Sequence, residues 1–170
     1  MGWQVTSVDL LAKFNPTICC DVLELESEDV LEHGNVDLIW ASPPCTHYSC
    51  ARTKAKTPRD LDGSDALVQK VLDLADRLCC YFLIENPHSG LLKTRPVVQG
   101  LHMEVLDYCR YGTQYRKRTS IWTNSRYEAG RPLCMKDCAS SDGKEHTRTA
   151  PVPYTHLTLP TKEEDEDTVA

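Results

Sequence analysis

Apolar residues come in short runs, and each run ends on a polar or turn residue. Val5 to Val8 is a β-prone run closed by Asp9, Thr17 to Cys20 is closed by Asp21, and Val36 to Ala41 is stopped by Ser42-Pro43-Pro44. Between 64 and 80 the period changes. Leu67, Val71, Leu74, Ala75 and Leu78 recur on one face, which predicts a helix that Ser64 or Asp65 can cap. Tyr81 to Ile84 is a nearly continuous apolar strand running into Glu85-Asn86-Pro87. Residues 91–100, interrupted by Pro96, read as a short helix or loop, and Met103 to Tyr108 and Arg118 to Trp122 as two further strands. Strands alternating with helix-length connections predict an α/β sheet buried on both faces, with its ligand site beyond the carboxyl ends of the strands. Asp9, Asp21, the Pro-Pro-Cys and the Glu-Asn-Pro all fall at those ends. After Asn124 the pattern fades into a polar, irregular stretch.

Composition narrows the class. With 170 residues, 41% apolar and 26% charged, the chain has the make-up of one globular domain, not of a collagen, coiled-coil or wholly disordered chain. No apolar run approaches the ~20 residues of a membrane span, and the N-terminus lacks a secretory leader's pattern. The nine cysteines are odd in number and several sit inside strand-like runs, so a reducing cytosol or nucleus is expected, not secretion. The net charge of -6 is uneven. Residues 161–170 hold five acids against one lysine, and the segment 151–170 is expected to be a disordered acidic tail. Within it, residues 154–161 look like a translated sequencing adapter, so the native C-terminus is expected to be lost there. Two basic stretches stand out: Arg52, Lys54, Lys56 and Arg59, and a second from Arg110 to Arg131 that includes Arg116, Lys117 and Arg118. Such runs usually mark a solvated face, and the sharper reading is phosphate contact.

Ser42-Pro43-Pro44-Cys45 follows a strand directly. Two prolines fix φ and remove two amide donors, so the chain leaves the sheet rigidly and presents Cys45 at its edge. A stabilised thiolate there could act as a nucleophile, although a buried cysteine after an ordinary turn would look the same. A partly desolvated Glu85 carboxyl could donate a proton to a ring nitrogen, and a helix cap or loop carboxylate weighs about the same when the motif is read alone.

Asp at one strand end, Asp at the next, Ser-Pro-Pro-Cys, Glu-Asn-Pro, then Tyr111-Gly112 and Arg116-Lys117-Arg118 is an order that resembles the cytosine-C5 DNA methyltransferases, closest to compact viral and phage-like members. The resemblance covers residues 1–124, a partial catalytic core. It implies a Rossmann-like sheet of the S-adenosylmethionine-dependent methyltransferases, here lacking the first strand and glycine-rich loop. No Phe-x-Gly-x-Gly turn is present, Thr46 stands where a glutamine is common, and Pro87 where a valine is common. It further implies that Cys45 attacks C6 of a flipped-out cytosine and that Glu85 holds N3 and the exocyclic amine. Arg116 and Arg118 would support the nucleotide and the glutamate, with Lys117 between them facing phosphate or solvent. Asp9 would take the ribose hydroxyls of S-adenosylmethionine, Asp21 its adenine amine, and Val22 and Pro43 would line the pocket, with Trp3 nearby. Residues 46–60 would form a loop closing over DNA, its basic residues on phosphates. RNA would serve the same chemistry. No membrane partner is implied, a monomer is the default, and the host nucleus joins the cytoplasm as an expected compartment.

Within 125–150, Cys134, Cys138 and His146 could hold zinc with Cys109 as a fourth ligand. The spacing matches no common finger, so free loop thiols weigh slightly more. Cys19, Cys20, Cys79 and Cys80 read as small apolar core residues. Two other function classes remain open: a catalytically inactive nucleic-acid-binding remnant, and a small zinc-dependent binding module.

Overall fold

In a computed structural model, residues 3–53 and 55–148 are described; Lys54 and the acidic 151–170 segment fall outside them. The structure is a mixed α/β arrangement of two sheets. Strands β1 (Val8–Asp9) and β2 (Ile18–Cys19) pair in parallel over two residues each. The larger sheet contains β3 (Leu38–Ala41), β4 (Tyr81–Pro87), β5 (His102–Asp107) and β6 (Arg118–Thr123) in the order β3-β4-β6-β5. β3 and β4 run parallel, and β6 is antiparallel to both of its neighbours. Each strand lies where the apolar runs predict it. β1 and β2 are shorter, because only Val8 with the closing Asp9, and Ile18 with Cys19, find partners.

Two α-helices and four short 3-10 turns complete the regular structure among the described residues. α1 (Ser27–Leu31) opens on a capping box in which Glu26 and Asp29 satisfy each other's backbone amides. α2 (Leu61–Arg77) begins earlier than the apolar period suggests. Its cap is Asp60, whose carboxylate accepts from Gly63 N–H at 2.8 Å, whereas Ser64 turns inward and donates to Asp60 O. The helix ends as Cys79 adopts a left-handed φ of 50°. No helix of the described residues is long and apolar enough to cross a membrane.

The core forms where α2 packs on β3 and β4. Val68, Val71, Ala75, Phe82, Ile84, Leu92, Val98 and Trp122 are buried together, and each large side chain so removed from water contributes about 1.5–3 kcal/mol. Asn124 pins the start of β4 by accepting from Phe82 N–H and donating to Cys80 O, both at 3.0 Å. The sheet is not buried on both faces throughout. Leu38 and Trp40 on β3 are exposed, because the described residues place no helix over that face. Of the cysteines expected in the core, Cys80 is buried, while Cys19 and Cys79 are exposed and Cys20 is half-buried. Cys19 lies on a two-residue strand with no buried position, and Cys79 is the left-handed residue that ends α2.

Candidate active site

The carboxyl ends of the parallel strands β3 and β4 lie side by side, and the Pro-Pro turn after β3 is tied to β4. Asn86, wholly buried, donates from Nδ2 to Pro43 O at 2.9 Å. That bond fixes the turn presenting Cys45, a positioning role the sequence pattern did not single out. Cys45 is half-buried with a free thiol. Burial pushes the thiol up from its ordinary value, a backbone hydrogen bond and the Lys117 ammonium pull it down, and the Glu85 carboxylate pushes it up. The thiol therefore senses both members of an ion pair at the strand edge.

That pair is Lys117–Glu85. Glu85 is 7% exposed, and its Oε1 accepts from Lys117 Nζ at 2.9 Å and from Tyr108 OH at 3.3 Å. Lys117 also lies over the Tyr108 ring, 5.1 Å from its centre. With Oε1 doubly engaged, Oε2 has no partner among the described residues and is the atom left for a ligand. The Lys117 ammonium is held above its usual range; desolvation opposes this, and the bond to Glu85 outweighs it.

The contact expected of Arg116 and Arg118 is thus made by Lys117. Side chains alternate across an extended strand, so the arginines point away from Lys117 and meet Asp107. Asp107 is completely buried. It receives Arg118 through two bonds of 3.0 and 2.7 Å, Arg116 at 3.3 Å, and Cys134 N–H at 2.9 Å. Burial raises its carboxyl, yet Arg118 and these further contacts bring it below the ordinary range. Neither Asp107 nor Tyr108 was marked by the motif order. Their only signal was a polar pair closing an apolar run.

The loop after Cys45 is held more firmly than a freely closing segment. Tyr48 is fully buried and donates to Asp65 Oδ1 at 2.8 Å, and Arg95 grips the other oxygen of Asp65 at 2.7 Å. Arg52 spends its guanidinium on Thr57 O and Oγ1, and Arg59 on His47 O. Lys56 is exposed, and Lys54 lies outside the described residues.

On the smaller sheet, Asp9 Oδ1 accepts from Leu11 N–H at 2.7 Å and Asp21 Oδ1 from Leu23 N–H at 2.9 Å. Each keeps one carboxylate oxygen without a partner among the described residues, Asp9 as the last residue of β1 and Asp21 two residues past β2. Val22 is half-buried beside them. Two free acceptors at adjacent strand ends fit a ribose diol and an exocyclic amine. Trp3 is 79% exposed and lines a different cleft, with Leu38, Tyr81 and Tyr127 at the amino end of the larger sheet. A second cleft of about 460 Å³, lined by Val36, Asp37, Asp76 and Asn124 among others, opens at that same end and holds none of the candidate residues.

Cys109, Cys134, Cys138 and His146 also come together, with all four donor atoms within 4.8 Å of one another. Burial pushes the Cys109 thiol up to about 12. Burial acts on Cys134 in the same direction, but hydrogen bonds from Lys136 N–H, His146 and the neighbouring thiols bring it down to about 6.

No family model matches the chain. It is similar to a curated protein of Frog virus 3 (isolate Goorha) named "Probable DNA (cytosine-5)-methyltransferase", 33% identical over 136 residues that cover 72% of this chain. The chain spans 61% of the length of that relative.

Proposed function

We propose that the chain carries the catalytic part of a DNA cytosine-C5 methyltransferase and that its two sheets belong to one Rossmann-like sheet. One observation carries this reading: a half-buried thiol, Cys45, beside a buried carboxylate with one oxygen free, Glu85, at the ends of adjacent parallel strands. The motif order and the similarity to the viral protein support it.

The target base must leave the helical stack, because C6 is hidden within it. The Cys45 thiolate, favoured by the Lys117 charge, forms a bond to C6. Glu85, a carboxylate in its ion pair with Lys117, takes up a proton from water at Oε2, delivers it to N3 and takes it back as the C6–S bond breaks, so the electron pair displaced from the C5–C6 bond gathers at C5 without a full negative charge on the ring. Lys117 and Tyr108 hold Oε1 still, so the proton sits where it is needed. Asp9 and Asp21 bind S-adenosylmethionine through its ribose and base, and that cofactor supplies an electrophilic methyl group. Once C5 is methylated, its proton passes to water, the C6–S bond breaks and the Cys45 thiolate leaves.

DNA containing 5-fluorocytosine cannot lose the C5 substituent as a proton, so it traps the adduct. Incubated with such DNA and S-adenosylmethionine, the chain is expected to give a covalent complex stable to denaturation, absent in Cys45→Ser. Salt-sensitive DNA binding with no adduct and no cofactor binding by calorimetry would favour an inactive nucleic-acid-binding remnant instead.

A further inference from the structure

The cluster of Cys109, Cys134, Cys138 and His146 takes no part in that reaction, and it is the most closely gathered set of metal-ligating side chains among the described residues. We propose that these four residues hold one structural zinc ion, which clamps the segment after β6 onto the Asp107 end of β5. The inference stands independently of the methyltransferase reading.

Distances carry it first. Tetrahedral zinc with Zn–S of about 2.3 Å and Zn–N of about 2.05 Å requires S···N separations of roughly 3.6 Å. His146 Nε2 lies 3.5 Å from Cys134 Sγ and 3.4 Å from Cys138 Sγ. One imidazole nitrogen has a single proton or a single lone pair, so it cannot satisfy two sulfurs equally by hydrogen bonding. A shared cation satisfies both together with Cys109. Three sulfurs and one nitrogen also form a donor set suited to zinc over harder ions.

Backbone geometry points the same way. Lys136 holds a left-handed φ of 69°, costly for a residue with a Cβ, and this turns its N–H onto Cys134 Sγ at 3.3 Å. An amide aimed at sulfur stabilises a ligating thiolate. His146 is delivered by a tight turn in which Ser141 and His146 bridge and Asp142 accepts from the Lys144 and Glu145 amides. Three thiolates around a divalent cation leave one negative charge, and the Arg110 and Arg118 guanidiniums both lie close enough to Cys134 to feel it.

The segment also needs an anchor that apolar burial does not provide. From Asn124 to Arg148 the only buried residue is Cys134, while Leu133 and Met135 point to solvent. A metal supplies the missing cohesion. It acts beyond its own loop, because Cys134 N–H donates to Asp107 Oδ2, and Asp107 orients Arg116 and Arg118.

The test uses the full chain purified under reducing conditions. Elemental analysis should find one zinc per chain, and cobalt(II) in its place should show thiolate charge-transfer and tetrahedral visible bands. Zinc should protect Cys109, Cys134 and Cys138 from alkylation, leaving exposed Cys19, Cys50 and Cys79 reactive. It should also slow amide exchange across 134–146. Cys138→Ser and His146→Ala should each weaken zinc more than the roughly 10–100-fold of an outer-shell change. Should either variant misfold, the alkylation pattern of the unaltered chain decides. Labelling of all three thiols unchanged by zinc, or an octahedral cobalt spectrum, overturns the proposal.

Discussion

The two sheets use the same device, a polar residue where the pairing of two parallel strands ends, yet they treat it differently. Glu85, on the larger sheet, is gripped by Lys117 and Tyr108 from distant parts of the chain, and Asn86 beside it ties down the turn that bears Cys45. Asp9 and Asp21, on the smaller sheet, are held only by the amide two residues on. Burial follows the same division. Ile84, Ile121, Asn86, Thr119 and Ser120 of the larger sheet are almost completely covered, whereas β1 and β2 contain no buried residue and Trp3, Val5, Leu10 and Phe14 around them are exposed. The lesson is that a charged group is preorganised by tertiary partners and not by the strand end that bears it. The nucleophile half of the proposed site is built in advance, and the cofactor half is left to be completed by whatever binds it.

Hydrogen exchange should show the widest gap between the two. Amides of β1 and β2 are expected to open at near-zero cost, while those of β4 and β6 open only with global unfolding, a difference of roughly 10³-fold or more in protection. Similar protection in both sheets would break the comparison. Asp107→Ala comes next. Leaving two guanidiniums without their buried partner should cost about 3–5 kcal/mol in denaturant unfolding, against under about 0.5 kcal/mol for Asp9→Ala. Acid should act likewise. Asp107 is depressed in the folded state, so its stabilisation is present above the ordinary carboxylate range and is lost as pH falls through its lower folded value.

The smallest effect concerns Cys45. Its thiol lies above the ordinary value, so adduct formation with 5-fluorocytosine DNA should accelerate with rising pH as thiolate accumulates. Lys117→Ala removes a charge that lowers that thiol, shifting the alkaline limb upward and slowing the reaction at neutral pH by about 10²-fold. An unshifted pH profile in Lys117→Ala would place Lys117 outside the nucleophile's environment.

Much of this was legible in the chain. The apolar runs located every strand of the larger sheet, and the Pro-Pro-Cys and Glu-Asn-Pro turns located the thiol and the carboxylate, because prolines and strand ends constrain the backbone locally. Helix α2 was found but its cap was misplaced, since Asp60 caps through a turn that apolar spacing does not register. Two further assignments needed the third dimension. Alternation along the extended chain entering β6 sets Lys117 and its flanking arginines on opposite sides, but only the pairing of β6 with β4 and β5 decides that Glu85 meets the lysine and Asp107 the arginines. Cys134, Cys138 and His146, with Cys109 as a fourth ligand, could be named from the chain, but their spacing matches no common finger, and only folding brings the four donor atoms within 4.8 Å of one another. The sequence by itself determined which residues stand at strand ends, a matter of local backbone preference. The tertiary structure alone decided which charges and donor atoms meet, because contact across a sheet depends on register and on chain return, not on neighbouring residues.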